Sequence, residues 1–209
     1  IAGACGAITI GAVALIAFAL RLIAVGLFAL IATLGPLTVL PLLRLYEQTP
    51  MPSQAQLDRA LQLVDYRRIE RQGQGVHIAP GMELTLDGIA KGYIVDQGIA
   101  TLHAHGFASV YVEAGGDLMV TGSKPADQPW RIGIQPPRPQ SSASMAVIAT
   151  TSSLAVATSG DYMQAFSEDL QNHHILDPRS GRSPADLASA TITAPSVALA
   201  DGLATAAMV

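Results

Sequence analysis

Hydrophobic positions follow two regimes along the chain. Residues 1–20 carry no charge, residues 22–43 are again uncharged, and only Arg21 and Arg44 interrupt the first 45 positions. Each run approaches the roughly 20 apolar residues that span a bilayer. Past the turn cluster Thr49-Pro50-Met51-Pro52-Ser53 the pattern becomes periodic. Leu57, Ala60, Leu61 and Val64 recur at i, i+3, i+4 and i+7, which predicts a helix with Ser53 as its N-cap. A glycine-rich turn at 73–75 and the pair Pro80-Gly81 set off apolar runs at 76–78 and 82–86, predicted as two strands of a hairpin type. Asp87-Gly88 breaks the second run. A helix is then predicted over 90–105, with Ile94, Val95, Gly98, Ile99 and Leu102 on one side and Gly106 as its stop. Strands are predicted at 109–113, 118–121, 130–135, 146–151, 154–157, 173–176 and 190–194, and a small-residue helix from about Ser196 to the last residue. Strands interrupted by two or three helices predict an α/β (α+β) fold, a single domain of mixed sheet with packed helices.

Composition sharpens this picture at the amino end. Charged residues make up 13% of the chain, against roughly 25% in an ordinary soluble domain. The deficit is confined to the start: the 164 residues after position 45 carry 16 acids and 10 bases, the profile of a soluble acidic domain. A net charge of −4 excludes a nucleic-acid polyanion as the expected partner. One cysteine excludes an internal disulfide framework and any multi-cysteine zinc or iron–sulfur site. For the apolar start, a bilayer span and a buried core segment are both open. Glycine and proline punctuate the run, and it lacks flanking Lys/Arg clusters and an aromatic belt, which favours the core. It is too long, and uncharged at its amino end, for a secretory signal. Ala2-Gly3-Ala4-Cys5 loosely matches a bacterial lipoprotein cleavage box but lacks the polar linker that normally follows; Cys5 otherwise reads as a small buried hydrophobe.

Five patches rich in glycine and oxygen stand at predicted element junctions. In Thr85-Leu86-Asp87-Gly88-Ile89-Ala90-Lys91-Gly92-Tyr93, glycines at a helix start admit an anion to backbone amides, and Lys91 adds a point charge suited to phosphate; an ordinary helix start is the alternative. In Glu113-Ala114-Gly115-Gly116-Asp117, two glycines after a strand let a ligand lie against the backbone, or simply make a tight hairpin. Thr158-Ser159-Gly160-Asp161-Tyr162 places two hydroxyls at an expected helix start, where they would hold a phosphate or act only as a cap. His173-His174-Ile175-Leu176-Asp177-Pro178-Arg179-Ser180-Gly181 ends in a turn. Its histidines are candidates for phosphate binding, base or metal ligation, and on one strand only one of them faces inward. In Asp201-Gly202-Leu203-Ala204-Thr205, a carboxylate and a hydroxyl at i, i+4 share a helix face. They are hard oxygen donors of the kind Mg²⁺ takes, or else a helix-start Asp favoured by the dipole.

In this order and spacing the patches resemble the ApbE family, the flavin transferases known as FAD:protein FMN transferases. The resemblance runs from about Thr33-Leu34-Gly35-Pro36-Leu37 to the end. It rests on Asp87-Gly88-Ile89-Ala90-Lys91-Gly92-Tyr93, Pro129-Trp130-Arg131-Ile132-Gly133-Ile134, and the four patches that follow the first. It implies an ApbE-like domain over 33–209, preceded by an anomalous apolar segment over 1–32. It further implies a bacterial, exported, often lipid-anchored enzyme on the periplasmic or extracytoplasmic face of the inner membrane. Such an enzyme is Mg²⁺-dependent, binds FAD as substrate, and moves the FMN half to a threonine hydroxyl of an acceptor protein such as a flavinylated redox subunit, releasing AMP. By position, the resemblance puts Mg²⁺ on Asp201, Thr205 and a backbone oxygen of Gly88. It puts FAD against Lys91, Gly115, Gly116, Thr158, Ser159, Gly160 and His174. Where the family commonly has an Asp six residues before the lysine, this chain has Thr85, with Asp87 two residues later, so either one is the flavin contact. The family's Met-Gly-Thr segment and the polar residues before Gly35-Pro36 are missing, which removes part of the usual flavin-binding surface. A core segment whose polar positions are missing or misread therefore accounts for residues 1–32 better than a bilayer span.

The chemistry expected of these residues agrees with that resemblance. Attack on a pyrophosphate needs charge neutralised on its non-reacting oxygens, the role of a divalent cation, Lys91 and helix-start amides. The nucleophile comes from outside the chain, and His174 or Asp201 is the expected catalytic base. An FAD pyrophosphatase giving FMN and AMP differs only in whether water reaches the phosphorus. A non-catalytic FAD-binding protein is the alternative from another class.

Overall fold

The computed structural model describes residues 36–49, 51–72, 75–138 and 146–209. The apolar segment 1–32, its Cys5 and Gly35 lie outside the described residues. Among the described residues, no helix is long and apolar enough to cross a membrane. The α/β class expected from the sequence is what the chain adopts, with four α-helices and eight strands among the described residues and every strand pairing antiparallel. Its described residues divide into two compact units: residues up to 88 with 164–185 and 209, and residues from 89 to 163 with 186–208.

The first unit is built on α1 (Leu40–Gln48) and α2 (Gln54–Leu61). Leu42 and Tyr46, one turn apart on α1, are buried with Leu57 of α2, Val39, Val64 and Leu176. The Tyr46 ring stacks on Phe166 with centroids 5.4 Å apart. α2 starts where Ser53 predicted, and the Gln56 side chain reaches back and accepts from the Ser53 N–H at 2.9 Å. β1 (Glu70–Gln72) and β2 (Gly75–His77) form a hairpin with Glu70 opposite His77. The strand expected at 82–86 does not form. β2 pairs backward through the turn near Gly75, so Pro80-Gly81 closes no ladder, and Thr85 N–H donates instead to the Leu37 carbonyl at 2.8 Å. Residues 173–176 are not a strand either. His173 makes one isolated bridge to Ala165, and the burial of Ile175 and Leu176 in succession is not the alternation of a sheet with one solvated face.

The second unit is an antiparallel sheet in the order β3-β4-β7-β8, from β3 (Val110–Ala114), β4 (Asp117–Thr121), β7 (Leu154–Gly160) and β8 (Ser189–Ala194). The β3–β4 turn has Gly115 and Gly116 at φ +60° and +93°, backbone that glycine adopts without strain in a two-residue hairpin loop. β5 (Trp130–Ile134) pairs with β6 (Ala146–Thr150), and Ile132 packs with Leu118, Val120 and Val156. On the other face, α3 (Ala90–Ala104) and α4 (Val197–Ala207) bring Val95 and Val197 against Ala155, Val112 and Met119. Burial on both faces explains why β4 reads as a continuous apolar run.

α3 begins at the predicted residue, and Gly106 at φ +88° ends it. Its inner face differs from the prediction. Ile94 is 63% exposed, while Gly92, Val95 and Ile99 are buried. The reason is the close crossing with α4: a Cβ at Gly92 would collide with the Val197 carbonyl, so the helix turns its glycine inward and Ile94 outward.

Candidate active site

The second unit gathers most of the sequence-predicted residues. Asp117 is the first residue of β4, directly after the Gly115-Gly116 turn, and its side chain is 1% exposed. One carboxylate oxygen accepts from Lys91 Nζ at 2.5 Å and the other from the Thr158 N–H at 3.3 Å. Lys91, in the first turn of α3, is half-exposed and keeps further donors for a ligand. Gly115 lies beside it, for a Cβ there would stand 3.6 Å from the Lys91 Cδ. Glu113 accepts from the Gly116 N–H at 2.6 Å and closes the turn.

Thr158, Ser159 and Gly160 stand in β7, not at a helix start as expected. The ladder to β8 runs through Gly160, opposite Ser189, so the backbone groups on that edge belong to the sheet, while the Thr158 N–H on the other edge goes to Asp117. The side chains alternate instead. Thr158 Oγ1 meets Thr191 Oγ1 at 2.8 Å on one face, and Ser159 Oγ meets Thr205 Oγ1 of α4 at 3.1 Å on the other. Gly160 is tight, with the Tyr162 ring where a Cβ would stand.

Asp201 and Thr205 lie one turn apart on α4, with Asp201 buried to 3% exposure. Its Oδ2 accepts from the Gly92 N–H at 3.1 Å, and Oδ1 has no hydrogen-bond partner among the described residues. Burial, helped by the Asp117 charge, pushes the Asp201 carboxyl up to about 6, against the opposing pull of the Gly92 N–H and Lys91. Lys91 thus pairs directly with Asp117, and its charge acts on Asp201 only from a distance.

The remaining predicted residues belong to the other unit. Thr85 and Asp87 are held together: the Thr85 hydroxyl donates to Asp87 Oδ2 at 2.7 Å, and the Asp87 N–H donates to Thr85 Oγ1 at 3.2 Å. This is a local Asx/ST-type turn leading into Gly88, with Thr85 half-buried and Asp87 exposed. Of the two histidines only His173 faces inward, as expected; its Nε2 meets the Pro184 carbonyl at 2.9 Å and its Nδ1 is buried without a partner. His174 is half-buried, with Nδ1 3.2 Å from the Gln164 carbonyl.

Sequence reasoning left Asp117 without a role, although the motif containing it was in view. A carboxylate directly after a Gly-Gly hairpin and one strand from Thr158 was the available signal. Asp96 and the Asp161–Arg138 pair were also missed. Asp161 is 6% exposed and takes a fork from Arg138 at 2.7 and 2.6 Å. Their partners lie 101 and 23 residues away, beyond any local pattern.

The fold and site define an α/β protein with an acidic, oxygen-rich centre where two helices cross on an antiparallel sheet. The model of the ApbE family matches residues 14–209, and the chain belongs to that family. It is 32% identical over 183 residues to the FAD:protein FMN transferase of Treponema pallidum, covering 78% of this chain and 50% of the relative. To that of Vibrio cholerae it is 34% identical over 182 residues, 82% of this chain and 54% of the relative. The chain thus spans about half the length of the curated relatives it matches. Among solved structures, the ApbE protein from Thermotoga maritima superposes with a TM-score of 0.77 at 34% identity, over 87% of this chain and 61% of that one. The flavin transferase ApbE from Vibrio cholerae gives 0.78 at 29% identity, over 95% and 64%.

Proposed function

We propose that the protein transfers the FMN half of FAD to a threonine hydroxyl of an acceptor protein, in a Mg²⁺-dependent reaction that releases AMP. The observation that carries this is the charge of the site. Asp117 and Asp201 are both buried, Lys91 pairs with Asp117 alone, and the Asp201 carboxyl is held at about 6 by burial and by its like-charged neighbour. A divalent cation relieves that repulsion, and the donor set suits it: a carboxylate oxygen without a partner and a hydroxyl one turn on, both hard oxygens. Asp201 and Thr205 would hold the ion, which when bound neutralises charge on the pyrophosphate oxygens. The names of the similar proteins in Treponema pallidum and Vibrio cholerae support the transferase reading.

In this reading the acceptor hydroxyl oxygen forms a bond to the FMN-side phosphorus as the pyrophosphate P–O bond breaks, its proton passes to the expected base, His174 or Asp201, and AMP leaves with the electron pair. Lys91 gives direction to the phosphates from the first turn of α3, while Asp117 fixes its Nζ. Gly115 and Gly116 keep that side open to a ligand. The roles that the resemblance gives to Thr85, Asp87, Gly88 and His174, and its placement on the outer face of the inner membrane, belong to the same proposal. The test is incubation of the protein with FAD and Mg²⁺, with and without an acceptor carrying a target threonine. Covalent flavin fluorescence on the acceptor with stoichiometric AMP is the expected result. Free FMN and AMP irrespective of acceptor would make the protein a hydrolase, and intact bound FAD a carrier.

A further inference from the structure

Asp96 lies on α3, one turn after Gly92, and takes no part in the site described above. Its carboxylate accepts from the Val197 N–H at 2.9 Å through Oδ1 and from the Ala198 N–H at 3.0 Å through Oδ2. These are the first two amides of α4, which have no partner within their own helix. The third, Leu199 N–H, goes to the Ser196 hydroxyl at 3.3 Å. The start of α4 is therefore capped twice, by Ser196 from its own chain end and by a carboxylate from another helix 101 residues away.

The second cap is not needed to satisfy helix formation alone, since a side-chain N-cap and water serve most helices. It ties α4 to α3, and it does so in a reciprocal pattern. The α4 carboxylate of Asp201 accepts from an α3 backbone N–H at Gly92; one turn along α3, the Asp96 carboxylate accepts from two α4 backbone N–H groups. Asp201 follows Val197 by four residues, so both rungs act along one edge of α4. Gly92 allows the two backbones to approach until the Val197 carbonyl fills the space of a side chain. A forked acceptor with both oxygens engaged fixes rotation as well as position. Sliding or turning α4 breaks the Asp96 fork at the same time as it moves Asp201 Oδ1 and the Thr205 hydroxyl.

We propose that Asp96 is a positioning residue for the cation site, setting the register of α4 against α3 so that Asp201 Oδ1 and the Thr205 hydroxyl are presented to one divalent ion. This rests on the cation reading of Asp201 and Thr205. Asp96→Asn keeps the shape and removes one acceptor and the charge; Ser196→Ala removes the other cap of the same helix and leaves the α3 link intact. Binding of Mn²⁺ to the FAD-free protein, followed by electron paramagnetic resonance, reads the site without turnover. D96N is expected to weaken Mn²⁺ binding about tenfold, the size of effect seen when partners that orient metal ligands are removed. It should raise the Mg²⁺ needed for half-maximal flavin transfer by a like factor, with kcat at saturating Mg²⁺ nearly unchanged. S196A is expected to lower Tm while leaving Mn²⁺ affinity within about twofold, in keeping with a lost cap. Mn²⁺ affinity of D96N equal to wild type, or an equal loss in S196A, overturns the proposal. Should D96N not fold, Asp96→Glu keeps the charge and displaces the fork, and undiminished Mn²⁺ affinity there overturns it equally. Wild-type protein that binds Mn²⁺ but moves no FMN would sink the transferase reading and leave the register claim to the Mn²⁺ measurement.

Discussion

The two units hold their polar side chains by different means. In the second unit, the contacts that make the site join residues far apart in sequence: Lys91 to Asp117, Thr158 to Asp117, Gly92 to Asp201, and Ser159 to Thr205. In the first, the side-chain contacts of the candidate residues are mostly with near neighbours, as in Thr85 with Asp87 and His174 with Gln164, beside a few longer links such as Arg179 to the Val209 carbonyl. Long-range polar contacts exist only when the sheet and both helices are in place, so site and fold should fail together in the second unit. Local turns survive small changes, and substitutions in the first unit should separate stability from chemistry.

The sharpest way to break this contrast is at Gly92. Its missing side chain is where the Val197 carbonyl sits, a backbone group that cannot move aside as a side-chain tip does. Gly92→Ala is expected to cost about 3 kcal/mol or more in urea unfolding, at the upper end for an overpacked contact. It should also abolish cation binding, because α4 must move to make room. A variant that keeps wild-type stability and Mn²⁺ affinity would show that the helix crossing is looser than the geometry requires.

Asp201 tests the same unit through charge. An ordinary Asp carboxyl titrates near 3.8 and this one near 6 in the metal-free fold. Between those pH values the folded protein holds a proton that the unfolded chain has released, so stability falls as pH rises through that window. Above pH 6 the cost is fully present, about 3 kcal/mol from an interval of roughly two pH units at ~1.4 kcal/mol each. Asp201→Asn removes that cost while its oxygen still accepts from Gly92. It should raise the stability of the metal-free protein at pH 8 by up to about 3 kcal/mol, with the gain gone below pH 4, and abolish Mg²⁺-dependent transfer. In the wild type, cation affinity should weaken below pH 6 as the carboxyl takes up its proton. A gain in D201N that does not vary with pH would assign it to packing and remove charge as its cause.

In the first unit the largest expected effect is smaller. Gly181 has φ +71°, and a Cβ there would stand 3.0 Å from Leu42 Cδ2, against the buried face of α1. Gly181→Ala should cost about 1–2 kcal/mol, the penalty for an L-residue in left-handed backbone, and leave Mn²⁺ affinity unchanged. Loss of cation binding in that variant would break the contrast between the units.

How far the sequence was legible follows the same division. Elements set by local pattern came through: α2 from Ser53 and the apolar positions Leu57, Ala60 and Leu61, with Val64 falling just past its end, α3 from its first residue to Gly106, and the β3–β4 hairpin from Gly115-Gly116. That Asp201 and Thr205 share one helix face was readable because i, i+4 spacing fixes it. Two kinds of feature were not readable. Thr158-Ser159-Gly160 resembles a capping sequence, and only the pairing with β8 turns it into strand. Asp117, Asp96 and Asp161 have meaning only through partners brought together by the fold. Ile94 failed for a related reason: a helical wheel cannot tell which of two apolar edges faces the helix that crosses it.

The smallest expected effect settles whether Thr85 or Asp87 meets the flavin nucleotide, an alternative that the sequence left open. Thr85 and Asp87 are not rivals for a single role, since each holds the other: the Thr85 hydroxyl donates to the Asp87 carboxylate and accepts from its N–H. Thr85→Val keeps the branched shape and removes both bonds. Because the turn is partly solvated, the stability cost should be about 0.5–1 kcal/mol, within the range of one net hydrogen bond. If the pair acts as a unit on the flavin nucleotide, T85V and Asp87→Asn should raise the KM for FAD by similar factors, and the double variant should add little beyond either alone. Independent effects that multiply would mean that the two residues meet the nucleotide separately, whereas an effect of Asp87→Asn without one of T85V would leave the threonine as a support for the turn.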